Sequence, residues 1–115
     1  MPKAAPQKAA RKVLAANILY ARTMLGWSQE QLAEKANLHR TQIGELERQT
    51  SGASVDSLAM LGRALGLPMH VLLMPPAEAH PLILAGIQAQ LQKGEIDGLI
   101  EGKKLPSVPK RKPLL

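Results

Sequence analysis

Apolar residues along this chain recur at intervals of three and four rather than alternating, so the pattern predicts helices throughout. A run from about residue 7 carries Leu14, Ile18, Ala21 and Leu25 at helical spacing, and Gly26 ends it. The stretch 28–48 reads as two short helices joined by a tight turn. Ser28 is placed to cap the first of them, and Leu32, Ala33 and Ala36 share one of its faces. Asn37 stands where the chain must reverse, and asparagine tolerates the left-handed conformation such a turn needs. Leu38 plugs the turn, and Ile43 and Leu46 point inward from the second helix. Ala33 must stay small, because that second helix packs over it. Ser54 caps a fourth helix with Val55, Leu58, Leu61 and Leu65 as its stripe, Asp56 in its first turn and Gly66 at its end. Pro68 opens a short fifth helix over 69–73, which Pro75 and Pro76 stop.

Punctuation divides the rest. Residues 75–81, with three prolines, read as a linker. Beyond it, 82–102 reads as a helical extension: Ile83, Ile87 and Leu91 keep helical spacing up to Gly94, and a further turn forms around Ile96, Leu99 and Ile100. The extension is too small for a core of its own, so it is expected to pack on the main domain or pair with its copy. Residues 1–6 are expected to be a disordered basic arm, 7–74 the main domain and 103–115 a disordered basic tail.

Composition narrows the function classes. The chain has 115 residues, no cysteine, and Tyr20 and Trp27 as its aromatic residues. The core must therefore come from Leu, Ile, Val, Met and Ala, with Trp27 packing at the corner between helices. Disulfide frameworks, thiolate metal sites and cysteine nucleophiles are excluded. The absence of cysteine suits a cytoplasmic protein, and no apolar run approaches the roughly 20 residues of a membrane span. His39, His70 and His80 lie far apart without metal-ligand spacing, and there is no Gly-rich phosphate loop. No catalytic residue, metal or cofactor is expected, and the chain does not read as an enzyme. The net charge of +6 is unevenly spread: residues 1–12 carry +4, 13–74 are neutral, 75–102 carry −3 and 103–115 carry +5. Basic termini flanking a neutral domain suit a nucleic-acid binder, although solvated tails would have the same composition.

The residues Arg22, Gly26-Trp27-Ser28-Gln29-Glu30-Gln31-Leu32-Ala33, Ile43, Leu46-Glu47-Arg48 and the Leu58 to Gly66 helix resemble those of a known family. These are the phage-repressor and Cro-like helix-turn-helix proteins of the XRE type, and the resemblance covers roughly 14–74. The segments 38–44 and 54–58 look most like controller-type regulators of restriction–modification systems. The resemblance implies an all-α, compact five-helix lambda-repressor-like domain, here with a short helical extension. It implies that the second helix of the pair reads the major groove through Arg40, Thr41, Gln42 and Glu45. Their chemistry agrees: arginine can grip guanine, glutamine adenine, threonine a thymine methyl, and glutamate can accept from cytosine. Gln29 would meet a phosphate through its amide and the helix N-terminus, with His39, Arg48 and Thr50 as further backbone contacts. Lys8, Arg11 and Lys12 would meet it from the N-terminal side. Arg22 and Glu47 are implied as a structural ion pair. Where the family usually has glycine after the Glu-Arg pair, this chain has Gln49, so the following loop is expected to take a different path.

The partners implied are double-stranded DNA and a second copy of the chain, meeting through the fifth helix and the 82–102 segment. A homodimeric repressor on an inverted repeat is the leading expectation. The alternative is an antitoxin that regulates its own operon and binds a toxin through its C-terminal segment.

Overall fold

A computed structural model describes residues 5–93; residues 1–4 and 94–115 are outside it. The fold is all-α, with five α-helices and no strand among the described residues: α1 (Pro6–Leu25), α2 (Gln29–Ala36), α3 (Arg40–Glu47), α4 (Val55–Leu65) and α5 (Pro76–Lys93). A 3₁₀ segment, Met69–Leu73, connects α4 to α5. No helix among the described residues is long and apolar enough to cross a membrane.

One device closes four of these elements. Gly26, Asn37, Gln49 and Gly66 follow α1, α2, α3 and α4 in the left-handed region, with φ of 73°, 58°, 66° and 72°. In each case the next residue's N–H returns to a carbonyl five residues back: Trp27 to Arg22, Leu38 to Ala33, Thr50 to Glu45 and Leu67 to Gly62, at 2.8–3.0 Å. These bonds satisfy orphan carbonyls and turn the chain sharply. The helix starts are equally local. Ser28 Oγ accepts from the Gln31 N–H (3.0 Å), and Gln31 Oε1 accepts from the Ser28 N–H (2.8 Å). Ser54 Oγ accepts from the Ser57 N–H at 3.0 Å.

Ile18 and Leu25 of α1, Leu32, Ile43, Leu61, Leu65 and Leu72 are fully buried in one continuous core. Ala33 is buried where α2 and α3 cross, and Trp27 is buried at the corner between α1 and α2. Gly62 permits the next turn to close, since a Cβ there would stand 2.8 Å from the Leu67 carbonyl oxygen.

The structure corrects the boundaries after residue 74. The expected linker 75–81 is the first part of α5, and the expected extension begins in the middle of that helix. Its prolines sit where a helix tolerates them. Pro76 is at the first position, where the missing N–H has no helical partner anyway. Pro81 withholds a bond from the Ala77 carbonyl, but Ala77 lies on the exposed side where water can replace it. What drives the helix is the buried stripe Ala79, Ile83 and Ile87, which begins inside the supposed linker and lies in the common core. Tyr20 of α1 and His80 of α5 stack with centroids 3.9 Å apart and planes within 4°. Gly86 brings α5 down onto the turn after α4, since a Cβ there would stand 2.7 Å from Leu67 Cδ2. The described part of the extension, 82–93, therefore packs on its own chain; the turn expected around Ile96, Leu99 and Ile100 lies outside the described residues.

The 69–73 segment is likewise more internal than an interface requires. Val71 and Leu72 are buried, and Leu73 is 46% exposed. Asn17, fully buried in α1, donates through Nδ2 to the carbonyls of Leu72 (2.9 Å) and Met74 (2.8 Å), pinning the segment where it leads into α5.

Candidate nucleic-acid interface

α3 buries Ile43, Gly44 and Leu46 and leaves a polar outer surface of Arg40, Thr41, Gln42, Glu45 and Arg48. Arg40 and Thr41 are exposed at its first turn, where side chains reach outward without obstruction. Gln42 is half-buried and already engaged: its Oε1 accepts from the His39 N–H at 3.0 Å, which caps α3. Only its amide NH₂ remains to reach outward. Glu45 is half-buried. Thr50, exposed on the following loop, donates its hydroxyl to the Glu45 carbonyl at 3.3 Å, so its oxygen is held beside the helix end. His39 is exposed at the start of α3.

Beneath this surface lies a network reaching three helices. Arg22 Nε and Nη2 donate to Glu47 Oε2 and Oε1 at 2.7 and 2.9 Å, the two-pronged geometry that suits guanidinium and carboxylate. Arg22 Nη1 donates to the Trp27 carbonyl at 2.9 Å, at the entry to α2. The Arg22 and Glu47 side chains are 17% and 9% exposed. Gln29, first residue of α2, adds a fourth bond, its Nε2 donating to Glu47 Oε1 at 2.9 Å. The pairing of Gln29 with Glu47 has no signature in the sequence, because the two stand 18 positions apart in different helices.

Gly44 is the floor on which α2 and α3 meet. A Cβ there would stand 3.0 Å from Arg48 Nη1 and 3.7 Å from Gln29 Oε1. The Arg48 guanidinium therefore folds back over Gly44, one turn earlier on the same face of α3. Arg11, half-buried on α1, brings its Nε to 3.6 Å from the corresponding point above Gly52, beside the loop that follows α3. The structure thus brings Arg11, Gln29 and Arg48 to the margins of α3, whereas Lys8 and Lys12 stand on the exposed side of α1. From Pro6 onward these basic residues belong to a helix, so none of Lys8, Arg11 or Lys12 can act as part of a flexible arm.

Gln49 absorbs its departure from glycine as strain at one residue. The loop leaves α3 through the same closing bond that follows Gly26 and Gly66, so the expected change of path is not seen there. A non-glycine residue in the left-handed region is disfavoured by about 1–2 kcal/mol, partly offset in any glycine variant by roughly 0.5–1 kcal/mol of unfolded-chain entropy. Gln49→Gly is expected to raise the melting temperature by a few degrees in thermal denaturation. A lowered one would show that the Gln49 side chain contributes contacts that outweigh the strain.

Among the described residues no three His, Asp or Glu side chains converge as a metal ion requires. What the arrangement offers is a polar helix face with cations and an amide at its edge.

The match to known proteins falls on the same elements. The family described as Helix-turn-helix matches residues 18–72, from α1 through the 3₁₀ segment. The Neisseria hypothetical transcription factor of Neisseria meningitidis serogroup B is 37% identical over 73 residues, covering 64% of this chain and 69% of that protein. Control protein C.SmaI of Serratia marcescens is 40% identical over 63 residues, covering 55% of this chain and 75% of that protein. A crystal structure of hypothetical transcription factor NHTF from Neisseria superposes with a TM-score of 0.60 at 35% identity, over 71% of this chain and 95% of that one. The chain belongs to the helix-turn-helix family of the XRE type, a family of DNA-binding transcriptional regulators.

Proposed function

We propose that this chain is a homodimeric repressor that reads an inverted-repeat operator in the cytoplasm by laying α3 in the major groove. The observation that carries the reading is the α3 face. Arg40, Thr41, Gln42 and Glu45 combine donors and acceptors that match base edges, while Gln29 and Arg48 stand at its margin as candidates for phosphate contacts. Arg11 beside the 49–54 loop, with His39 and Thr50, extends the same margin, and Lys8 and Lys12 on α1 add long-range attraction where residues 13–74 carry no net charge. Two copies on a two-fold axis would set their α3 helices about 34 Å apart, one helical turn of DNA. The exposed Leu73 is an apolar residue on the α4–α5 connection that such a pairing could use.

Repression needs only occupancy of a promoter, whereas activation needs a further contact with polymerase. Similarity to control protein C.SmaI favours a controller-type regulator. The antitoxin reading assigns the segment 82–115 to a toxin; Ile83 and Ile87, at its start, are used in the chain's own core, and its residues 94–115 lie outside the described residues. Selection of bound sequences from a random duplex pool tests the reading. A symmetric consensus with half-sites one helical turn apart is expected. Recovery of no consensus, or of an asymmetric one, would overturn it.

A further inference from the structure

We propose that Glu47 is a positioning residue for DNA binding, whose carboxylate fixes the Gln29 amide with a donor toward the phosphate backbone. The inference rests on the reading of α2 and α3 as a DNA interface and adds a residue that itself touches no DNA. A glutamine side chain carries a donor end and an acceptor end, and rotation about its last torsion, a broad two-fold one, exchanges them. At a phosphate only the donor end is useful, since a carbonyl turned toward it repels. Glu47 removes that ambiguity. Its carboxylate accepts and cannot donate, so the end of Gln29 held at 2.9 Å must be the NH₂. One N–H is fixed on Glu47 and the other is left free. Gln29 Oε1 then lies 3.7 Å from the point above Gly44 that Arg48 Nη1 approaches to 3.0 Å, so the carbonyl end is on the side of a guanidinium.

Arg22 makes this arrangement compatible with a polyanion. A bare carboxylate at the edge of the interface would repel DNA. Here both oxygens of Glu47 are held by the Arg22 guanidinium, which leaves the pair neutral, and Arg22 is tied in turn to the Trp27 carbonyl just before α2. The orientation of Gln29 is thereby linked to the same bonds that set α2 against α3.

The sign of one substitution separates positioning from simple electrostatics. Glu47→Gln keeps the size of the side chain and removes a negative charge near the DNA, so electrostatics alone predicts tighter binding. Positioning predicts the reverse: a loss of about fivefold or more in affinity for the selected sequence, of the size a single hydrogen bond carries. Gln29→Ala should show a similar loss, and Glu47→Gln should add no further loss in the Gln29→Ala background, the signature of a shared interaction. Equal or tighter binding by folded Glu47→Gln, or losses that multiply in the double variant, would overturn the proposal. Nuclear magnetic resonance of the unmodified chain gives a second reading that does not depend on the variant folding. One Gln29 side-chain amide proton should be shifted downfield and protected from exchange, and two free-amide protons would overturn the proposal. Unchanged affinity in Gln29→Ala would overturn the proposal while leaving the DNA-binding reading intact. Failure of the unmodified chain to select any sequence would remove both.

Discussion

Glu47→Ala should cost this domain about 3–5 kcal/mol of stability, the usual penalty for stranding one partner of a buried ion pair. The size follows from what is left behind. Arg22 would keep its bond to the Trp27 carbonyl, but its Nε and Nη2, on a side chain only 17% exposed, would have no acceptor, and Gln29 Nε2 would lose its partner too. A small domain has roughly 5–15 kcal/mol in total, so the loss is a large part of what holds it folded. At about 4–8 °C per kcal/mol for a domain of this size, the melting temperature should fall by roughly 12 °C or more. Calorimetry checks it, and an unchanged melting temperature would mean that water reaches the site and compensates the stranded guanidinium. Replacing both partners, as in Arg22→Met with Glu47→Leu, should recover much of the loss, because removing both charges also removes their desolvation cost. That double variant would separate stability from recognition: it would keep the angle between α2 and α3 while leaving Gln29 without its acceptor.

The first three turns of the chain were legible because their signals are local. Gly26, Ser28, Asn37 and Ser54 act on bonds within a few residues of themselves, and a single sequence carries that information in full. The stripe of Leu32, Ala33, Ile43 and Leu46 was legible for the same reason, since its spacing alone requires two short helices to cross. The stretch after residue 74 was misread because proline there has two meanings. Pro75, Pro76 and Pro81 look like breakers, and only the burial of Ala79, Ile83 and Ile87 against the rest of the core shows that the helix runs through Pro81. Tertiary packing overrode a local rule. At the interface, the sequence supplied the residue types on α3 but not their engagements. The bond from Gln42 to the His39 N–H, the bond from Gln29 to Glu47 and the crossing of Gly44 by Arg48 all depend on the angle at which helices meet. The role of Asn17 has no local signature, because an asparagine on an apolar face carries no mark of the two carbonyls it reaches 55 and 57 residues away.

Ile83→Ala is expected to destabilise the chain by about 2–5 kcal/mol, the range for deleting a buried aliphatic side chain and leaving a cavity. Ile83 is fully buried, whereas its neighbour Leu82 is 47% exposed, so Leu82→Ala should change stability by no more than about 0.5 kcal/mol. The contrast between adjacent residues separates two accounts of α5. A segment that packs only on a partner would lose association on substitution, and its melting temperature would depend on protein concentration. A helix built into the monomer loses the same free energy at every concentration. Thermal unfolding of both variants at two concentrations a hundredfold apart therefore decides the matter. A concentration-independent fall for Ile83→Ala, with Leu82→Ala near the parent, places α5 in the folding unit with α1. The Tyr20–His80 stack and the Asn17 bonds to the chain before α5 would then be parts of one structure that holds the reading helix α3 at a fixed angle. A fall that vanishes at high concentration would instead make α5 an interface element, and the core would have to end at Leu72.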